Sequence, residues 1–376
     1  MKVVIIIPTY NEKGNIEKLI GILENDVFPK IKEHNMNILV ADDNSPDGTA
    51  DIVKSLMKKW KNIDVNSGEK KGLGAAYIRA MTYAIEKMNA DVMFEMDADF
   101  FHDPYRVPEF LKKIDEGYDF VIGTRYSGGG SVPNNWPFNR KFLSIVGNLI
   151  VRVVFTKFSI HDWTGGYRAI KREVFLKEKE KLIPLKGYRF QVGFLHTAVM
   201  DGFKIAEVPF QATDRTMGRS KMARGVTIVD TLEYVFYSRF LEIVTGSFGK
   251  FLIVGGTGFV INTLIYYLLA NHTRLNLVIC NTIGAELAIF SNYNLNNLWT
   301  FRERRTKNIK SYFTKMLFFF LTSNIGVWIF QNGIIGLGDF IYGRKYYLVY
   351  YIIGTFLLLI WNFTVYSKLI WKKSPK

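Results

Sequence analysis

Asp97-Ala98-Asp99 is the most chemically pointed stretch of the chain. It follows the apolar run at residues 92–96, so two carboxylates stand two positions apart just past a strand candidate. Hard divalent cations such as Mg2+ or Mn2+ take one or two carboxylates and fill their remaining positions with phosphate oxygens and water. Such a cation could grip a diphosphate and offset the charge that builds on a departing nucleoside diphosphate. An isolated Asp-x-Asp is equally what a solvated turn provides, so its surroundings decide. Three arginines add a second anion-binding signal. Arg125 follows the last apolar strand in Gly123-Thr124-Arg125-Tyr126, Arg140 opens an amphipathic segment, and Arg215 lies in Asp214-Arg215-Thr216-Met217-Gly218-Arg219-Ser220-Lys221. Guanidinium forks hold phosphate through paired hydrogen bonds, so these three are candidates for holding a phosphorylated acceptor.

The elements that must position these groups alternate. Residues 3–7, 38–41, 92–96 and 120–122 are short apolar strand candidates, and 13–24, 49–60, 75–88 and 107–114 between them have helical periodicity. Such alternation predicts an α/β domain with a largely parallel sheet and helices on both faces. Ligands of these sheets bind beyond the carboxyl ends of the strands. Those ends carry Tyr10-Asn11-Glu12, Asp42-Asp43-Asn44-Ser45-Pro46-Asp47-Gly48 and the Asp97/Asp99 pair.

Composition then divides the chain. Of 376 residues, 48% are hydrophobic and 22% charged, but long apolar runs dominate only from Phe251 onward. The net charge of +15 suits an anionic partner; no recognition motif supports nucleic acid, and the apolar tracts favour a lipid bilayer. A single cysteine, Cys280, excludes a disulfide framework. Segments 251–270, 277–298, 312–335 and 346–370 each approach the ~20 residues of a spanning helix, predicting an all-α transmembrane domain of four helices. Arg302, Arg304, Arg305, Lys307 and Lys310 follow the second segment, and Lys368, Lys372, Lys373 and Lys376 close the chain. The other side holds only Arg274, Arg344 and Lys345. This bias predicts a multi-pass protein with its N-terminal domain and both termini in the cytoplasm. Residues 139–158 and 225–244 mix aromatic and apolar residues with scattered charges, as helices lying in a membrane interface do. The expected division is a soluble domain at 1–224, an interfacial helix or linker at 225–247, and the spans at 248–376.

Pro8-Thr9-Tyr10-Asn11-Glu12, Asp42-Asp43-Asn44-Ser45-Pro46-Asp47-Gly48-Thr49, Lys71-Gly72-Leu73-Gly74-Ala75-Ala76-Tyr77 and Met96-Asp97-Ala98-Asp99 occur in the order and spacing of the family 2 glycosyltransferases. The Ser-Pro-Asp-Gly-Thr extension and the Gly-Leu-Gly-x-Ala-Tyr run resemble the dolichol-phosphate mannose synthase branch. The resemblance covers about residues 1–221 and implies a GT-A (Rossmann-like) fold. It implies nucleotide contacts at Pro8, Tyr10, Glu12, Asp42, Asp43 and Lys71, and metal and diphosphate at Asp97 and Asp99. Arg125, Arg140 and Ser144 match contacts to the acceptor phosphate, and Arg215 matches a loop that closes over the site. Phe101 departs from the pattern, standing where relatives often carry a polar Gln or Ser, and Gly193 stands where they commonly carry an acid.

Residues 250–256 and 292–301 resemble the GtrA-like membrane family, whose members serve polyprenyl-linked sugar pathways. Glu286 within the second span is either functional or a packing residue near an interface. His102, His161 and His196 lack the spacing of a metal triad and read as structural, and Gly128-Gly129-Gly130 reads as a hinge-like loop. Together the resemblances imply an inverting, metal-dependent transfer of mannose from GDP-mannose to dolichyl or another polyprenyl phosphate. UDP-glucose with undecaprenyl phosphate, or a lipid-linked sugar transporter with a regulatory soluble domain, are the alternatives.

Overall fold

The computed structural model describes residues 1–185, 187–213, 226–273, 275, 277–306, 308–343 and 346–372. The chain divides into two compact units, Met1–Tyr237 and Ser238–Lys376. The first opens with β1 (Lys2–Thr9), α1 (Lys13–Ile22), β2 (Asn35–Asp42), α2 (Thr49–Lys59), β3 (Ile63–Ser67), α3 (Leu73–Glu86) and β4 (Val92–Glu95). It continues with α4 (Val107–Asp115), β5 (Phe120–Thr124), α5 (Phe138–Val154), β6 (Arg168–Lys171), α6 (Arg172–Leu182), α7 (Tyr188–Met200) and β7 (Ile205–Pro209). The boundary between the units falls inside α8 (Val226–Thr245).

The seven strands form one sheet in the order β3-β2-β1-β4-β6-β5-β7. Alternating side chains of β1 feed opposite faces, as the strand period of two requires. Val3, Ile5 and Ile7 join Leu19 and Ile20 of α1, Val53 of α2 and Phe110 of α4 in one apolar core. Val4 and Ile6 join Tyr77 and Met81 of α3, Val151 of α5, Phe175 of α6 and Phe194 of α7 in the other. Burying each such side chain stabilises the unit by about 1.5–3 kcal/mol, which is why apolar runs this short still form strands.

The expected parallel sheet is corrected at one strand. β6 runs antiparallel to both β4 and β5, so the sheet is mixed. β6 carries Arg168, fully buried with its Nε 3.9 Å from the buried Glu95 carboxylate of β4, directly opposite in register. A charged residue inside a strand hid this element, and its partner lies far away in the chain. β3 and β7 were likewise absent from the expected strands.

In the second unit, α9 (Ser247–His272) and α10 (Leu277–Leu295) pack together. They approach closely because Gly258 lies under Asn292 and Gly284 under Asn262; a Cβ at Gly284 would come within 2.5 Å of the Asn262 side chain. Small residues facing polar ones are how helices associate in lipid. α11 (Ile309–Gly326), α12 (Gly333–Tyr342) and α13 (Tyr347–Val365) follow. Two helical stretches among the described residues, Ser247–Leu269 and Ile309–Phe330, are long and apolar enough to cross a membrane. The other two expected segments are helical at α10 and α13 without meeting that criterion over their described residues. Glu286 is exposed on α10.

Candidate active site

β2, β1 and β4 are parallel neighbours, so their carboxyl ends form one edge. Thr9 pairs with Asp42 and Pro8 with Ala41 across that edge. The buried Asp42 carboxylate accepts hydrogen bonds from Thr9 Oγ1 at 2.9 Å, Ser45 Oγ at 2.6 Å and the Ser45 backbone N–H at 2.9 Å. Burial raises the neighbouring Asp43 carboxyl above its ordinary value, against the opposing pull of Arg79, whose guanidinium lies 3.0 Å away. Arg79 Nε also donates to Asn66 Oδ1 at 2.9 Å. The Glu12 N–H donates to Thr49 Oγ1 at 3.1 Å, and Asn15 Nδ2 donates to the Glu12 carboxylate at 3.0 Å. Lys70, not Lys71, sits over the Tyr10 ring, 3.3 Å from its centre. Lys71 pairs with Glu69 at 2.9 Å on the exposed surface.

Beyond β4 the chain turns sharply through Asp97 and Asp99. Phe100 is left-handed at φ 64°, and the buried Asp99 carboxylate accepts the Phe101 N–H at 3.1 Å. His102 Nδ1 accepts the Asp97 N–H at 3.0 Å. Burial pushes the His102 imidazole down to about 3, so it is neutral, and an accepting Nδ1 leaves the proton on Nε2. His102 thus braces the turn that carries the two carboxylates. Asp97 is partly exposed and Asp99 is not. Among the described residues no group of three His, Cys, Asp or Glu side chains could hold a metal. Two carboxylates fit a cation that takes its other ligands from phosphate oxygens and water. Phe101 offers the cation nothing. Behind the turn, the buried Glu95 carboxylate accepts from Gln191 Nε2 at 2.9 Å, and burial pushes its pKa up to about 7.

Arg125, at the end of β5, is buried. Its Nε and Nη2 donate to the two oxygens of Asp162 at 2.7 and 2.8 Å, and Nη2 also donates to Thr164 Oγ1 at 3.0 Å. Burial alone would raise the Asp162 carboxyl; the Arg125 charge and hydrogen bonds outweigh it and hold it below the usual carboxylate range. Asn148 of α5 donates to Thr164 Oγ1 at 3.2 Å and accepts the Trp163 N–H at 2.8 Å. Tyr126 and Ser144 share a 2.5 Å hydroxyl contact. Behind this loop, Glu207 of β7 accepts the His161 N–H at 2.6 Å and contacts His161 Nδ1 at 2.7 Å. Gly130, in the Gly128-Gly129-Gly130 loop, is a site of close approach: a Cβ there would lie 2.5 Å from the Thr124 carbonyl oxygen. Arg140 lies over the Trp136 ring, 3.7 Å from its centre. Arg215 lies outside the described residues.

The structure thus gathers Pro8, Tyr10, Glu12, Asp42 and Asp43 at one edge, and Arg125 with Ser144 in one cluster. Sequence reasoning missed Arg79, Lys70, Tyr126, Asn148, Asp162 and Thr164. Only the adjacency of Lys70 to Lys71 and of Tyr126 to Arg125 gave a signal for any of them.

α5 inverts ordinary amphipathicity. Asn148 and Val151 are buried, whereas Phe138, Phe142, Leu143, Ile145, Leu149 and Val153 are exposed. α8 likewise exposes Val229, Phe236 and Phe240. Exposed apolar rows of this extent mark a surface that meets protein or membrane.

Residues 4–177 match the family model "Glycosyl transferase family 2", and residues 250–371 match "GtrA/DPMS, transmembrane domain". The chain is 33% identical over 327 residues to a dolichol-phosphate mannosyltransferase of Pyrococcus furiosus, covering 87% of this chain and 88% of that one. It is 38% identical over 224 residues to a polyprenol monophosphomannose synthase of Mycolicibacterium smegmatis, covering 59% and 81%. Among solved structures, the mannosyl-3-phosphoglycerate synthase of Rubrobacter xylanophilus is similar at a TM-score of 0.47 and 18% identity, covering 64% and 74%. With a mixed α/β sheet, an acidic turn at its carboxyl edge and relatives of this identity and coverage, the chain belongs to the family 2 glycosyltransferases with a GtrA/DPMS transmembrane domain, in the dolichol-phosphate mannosyltransferase branch.

Proposed function

We propose that this protein transfers mannose from GDP-mannose to dolichyl or another polyprenyl phosphate, with inversion at the anomeric carbon, at the cytoplasmic face of a membrane. One observation supports the reading above others. The Asp97/Asp99 turn and the Arg125 cluster adjoin: Phe101, two residues past Asp99, lies 5.9 Å from the Arg125 guanidinium, so groups suited to a diphosphate stand beside groups suited to a phosphate.

Asp97 and Asp99 would hold a divalent cation, which when bound supplies Lewis-acid stabilisation of the departing diphosphate. Asp42, Asp43, Tyr10, Glu12 and Pro8 form the nucleotide edge, and Lys71 is placed at its rim. Arg125, Arg140 and Ser144 orient the acceptor phosphate, and Arg215 is a further candidate ligand for it. A phosphate oxygen is already ionised at neutral pH, so the acceptor needs no general base. The chain's task is to position two anions and offset their charge. The outward apolar rows of α5 and α8 seat the catalytic domain on the bilayer. Four spans at about 251–270, 277–298, 312–335 and 346–370 place both termini in the cytoplasm. The domain limits are 1–224, 225–247 and 248–376.

The test supplies the full chain in lipid nanodiscs with polyprenyl phosphate, Mn2+ and a panel of nucleotide sugars. Transfer from GDP-mannose giving the inverted anomer is expected. Transfer from UDP-glucose alone would overturn the donor, and no transfer from any donor would overturn the enzymatic reading.

A further inference from the structure

Phe101 is the feature that the metal site leaves unexplained. Its side chain has no atom that can ligate a cation, yet it occupies the turn that carries both carboxylates. Its ring packs among aromatic neighbours instead. Phe101 stacks on Trp136, with ring centres 6.0 Å apart and planes within 13°, and takes edge contacts from His102 and Phe210 at 5.6 and 6.4 Å. The second ring of this pair is also engaged, since the Arg140 guanidinium lies 3.7 Å from the centre of the Trp136 ring. At the near end, the Arg125 guanidinium lies 5.9 Å from the centre of the Phe101 ring. Two arginines from separate segments therefore each pack on one ring of the same aromatic pair. Ring quadrupoles attract cations at these distances, and rings stack favourably at this spacing.

We propose that Phe101 and Trp136 are positioning residues, an aromatic bracket that fixes the separation and orientation of Arg125 and Arg140 around the acceptor phosphate. This rests on the reading of those arginines as phosphate ligands. Two guanidinium groups repel each other and would spread apart without a spacer; the stack supplies an attractive surface to each. Arg125 is held on its other side by Asp162; Arg140 leaves the first turn of α5 as a long exposed side chain, and ordering such a side chain on binding costs rotamer entropy. Pre-ordering it on Trp136 removes that loss before the lipid arrives. Phe101 also ties the bracket to the donor side, because its own N–H caps Asp99 at 3.1 Å. A displacement of the carboxylate turn is thereby carried to the arginines.

The experiment measures binding of a short-chain polyprenyl phosphate, with the corresponding polyprenol as control, to the full chain in detergent by isothermal titration calorimetry. It is run in the presence of a chelator, so that no metal contributes. Phe101→Leu and Trp136→Leu are each expected to weaken phosphate binding about tenfold, with Phe101→Tyr and Trp136→Phe restoring most of it. In steady-state assays with metal, the acceptor KM rises in the Leu variants while the donor KM stays within about twofold. Arg140→Lys, which keeps the charge but stacks poorly, shows the same loss as Trp136→Leu and guards against a Leu variant that fails to fold. Wild-type-like binding by the Leu and Lys variants, or equal rises in donor and acceptor KM, would overturn the bracket. A wild-type protein that does not prefer the phosphate to the alcohol would overturn the acceptor reading itself.

Discussion

At the strand edge read as the donor side, the acidic turns themselves are tied locally. Asp42 is held by Ser45 three residues on, Asp47 by Thr49 two residues on, Asp99 by the Phe101 N–H, and the Asp97 N–H by His102 five residues away. In the arginine cluster the ties are long. Arg125 meets Asp162 at a separation of 37 residues, Ser144 meets Tyr126 at 18, and Glu207 grips His161 at 46. Turns of the first kind form wherever a strand ends in Asp, Asn, Ser and Gly, and depend little on the rest of the unit. The second kind exists only once β5, α5, the loop before β6 and β7 have come together. The acidic turns are thus local structures borrowed by the site, joined across the sheet edge by the Thr9–Asp42, Glu12–Thr49 and Arg79–Asp43 contacts. The arginine cluster is a product of the tertiary fold.

Substitutions can break this contrast. The largest expected effect is on chemistry at the local edge: Asp99→Ala lowers kcat/KM by about 100-fold or more, yet changes unfolding free energy by no more than about 1 kcal/mol. Loss of fold together with activity, read by chemical denaturation, would count against the contrast. Asp162→Asn removes a fully buried charge from Arg125 and is expected to lower stability by about 3 kcal/mol. It also raises the acceptor KM, although deleting a negative charge beside an anion site would by Coulomb attraction alone lower it. A lowered KM would show that net charge, not positioning, governs that site. Thr49→Val takes the hydroxyl from the Glu12 N–H and from Asp47, for about 1 kcal/mol and a modest rise in donor KM.

Asp201, remote from both regions, serves as a reference. Hydrogen bonding to Lys181 leads the influences that hold its carboxyl at about 2 instead of the ordinary 3.8. A depressed carboxyl contributes stability that is present above 3.8 and lost as pH falls through about 2. Asp201→Asn is expected to cost about 0.5 kcal/mol near neutral pH, and the difference from wild type should vanish in acid. Urea midpoints at the two pH values check it.

The same contrast explains what could be read from the chain. The apolar runs of β1, β2, β4 and β5 announce themselves, and so do the polar turns that end them. β6 and β7 do not, because Arg168 and Glu207 interrupt the apolar pattern and are accommodated by partners distant in the chain or in the folded loop, Arg168 by Glu95 and the Gly165 carbonyl and Glu207 by the His161 loop. β3 is a half-buried edge strand carrying Asp64 and Asn66, too polar to stand out. Asp162 was invisible for the same reason: its role exists only opposite Arg125. Phe101 was noticed as a departure, but its ring contacts with Trp136 and Arg125 are relations that no local pattern encodes.

The outward apolar row on α5 alters what concentration means for this enzyme. The helix that carries Arg140 and Ser144 also carries Phe142, Leu143, Ile145 and Leu149 on its exposed side. On the proposed reading, with that row immersed in a leaflet, the acceptor arrives by lateral diffusion in two dimensions, and the donor by diffusion in bulk water. Saturation by the acceptor then follows its mole fraction among the surrounding lipids. Diluting the membranes in buffer leaves it unchanged, whereas diluting the acceptor with inert lipid slows turnover.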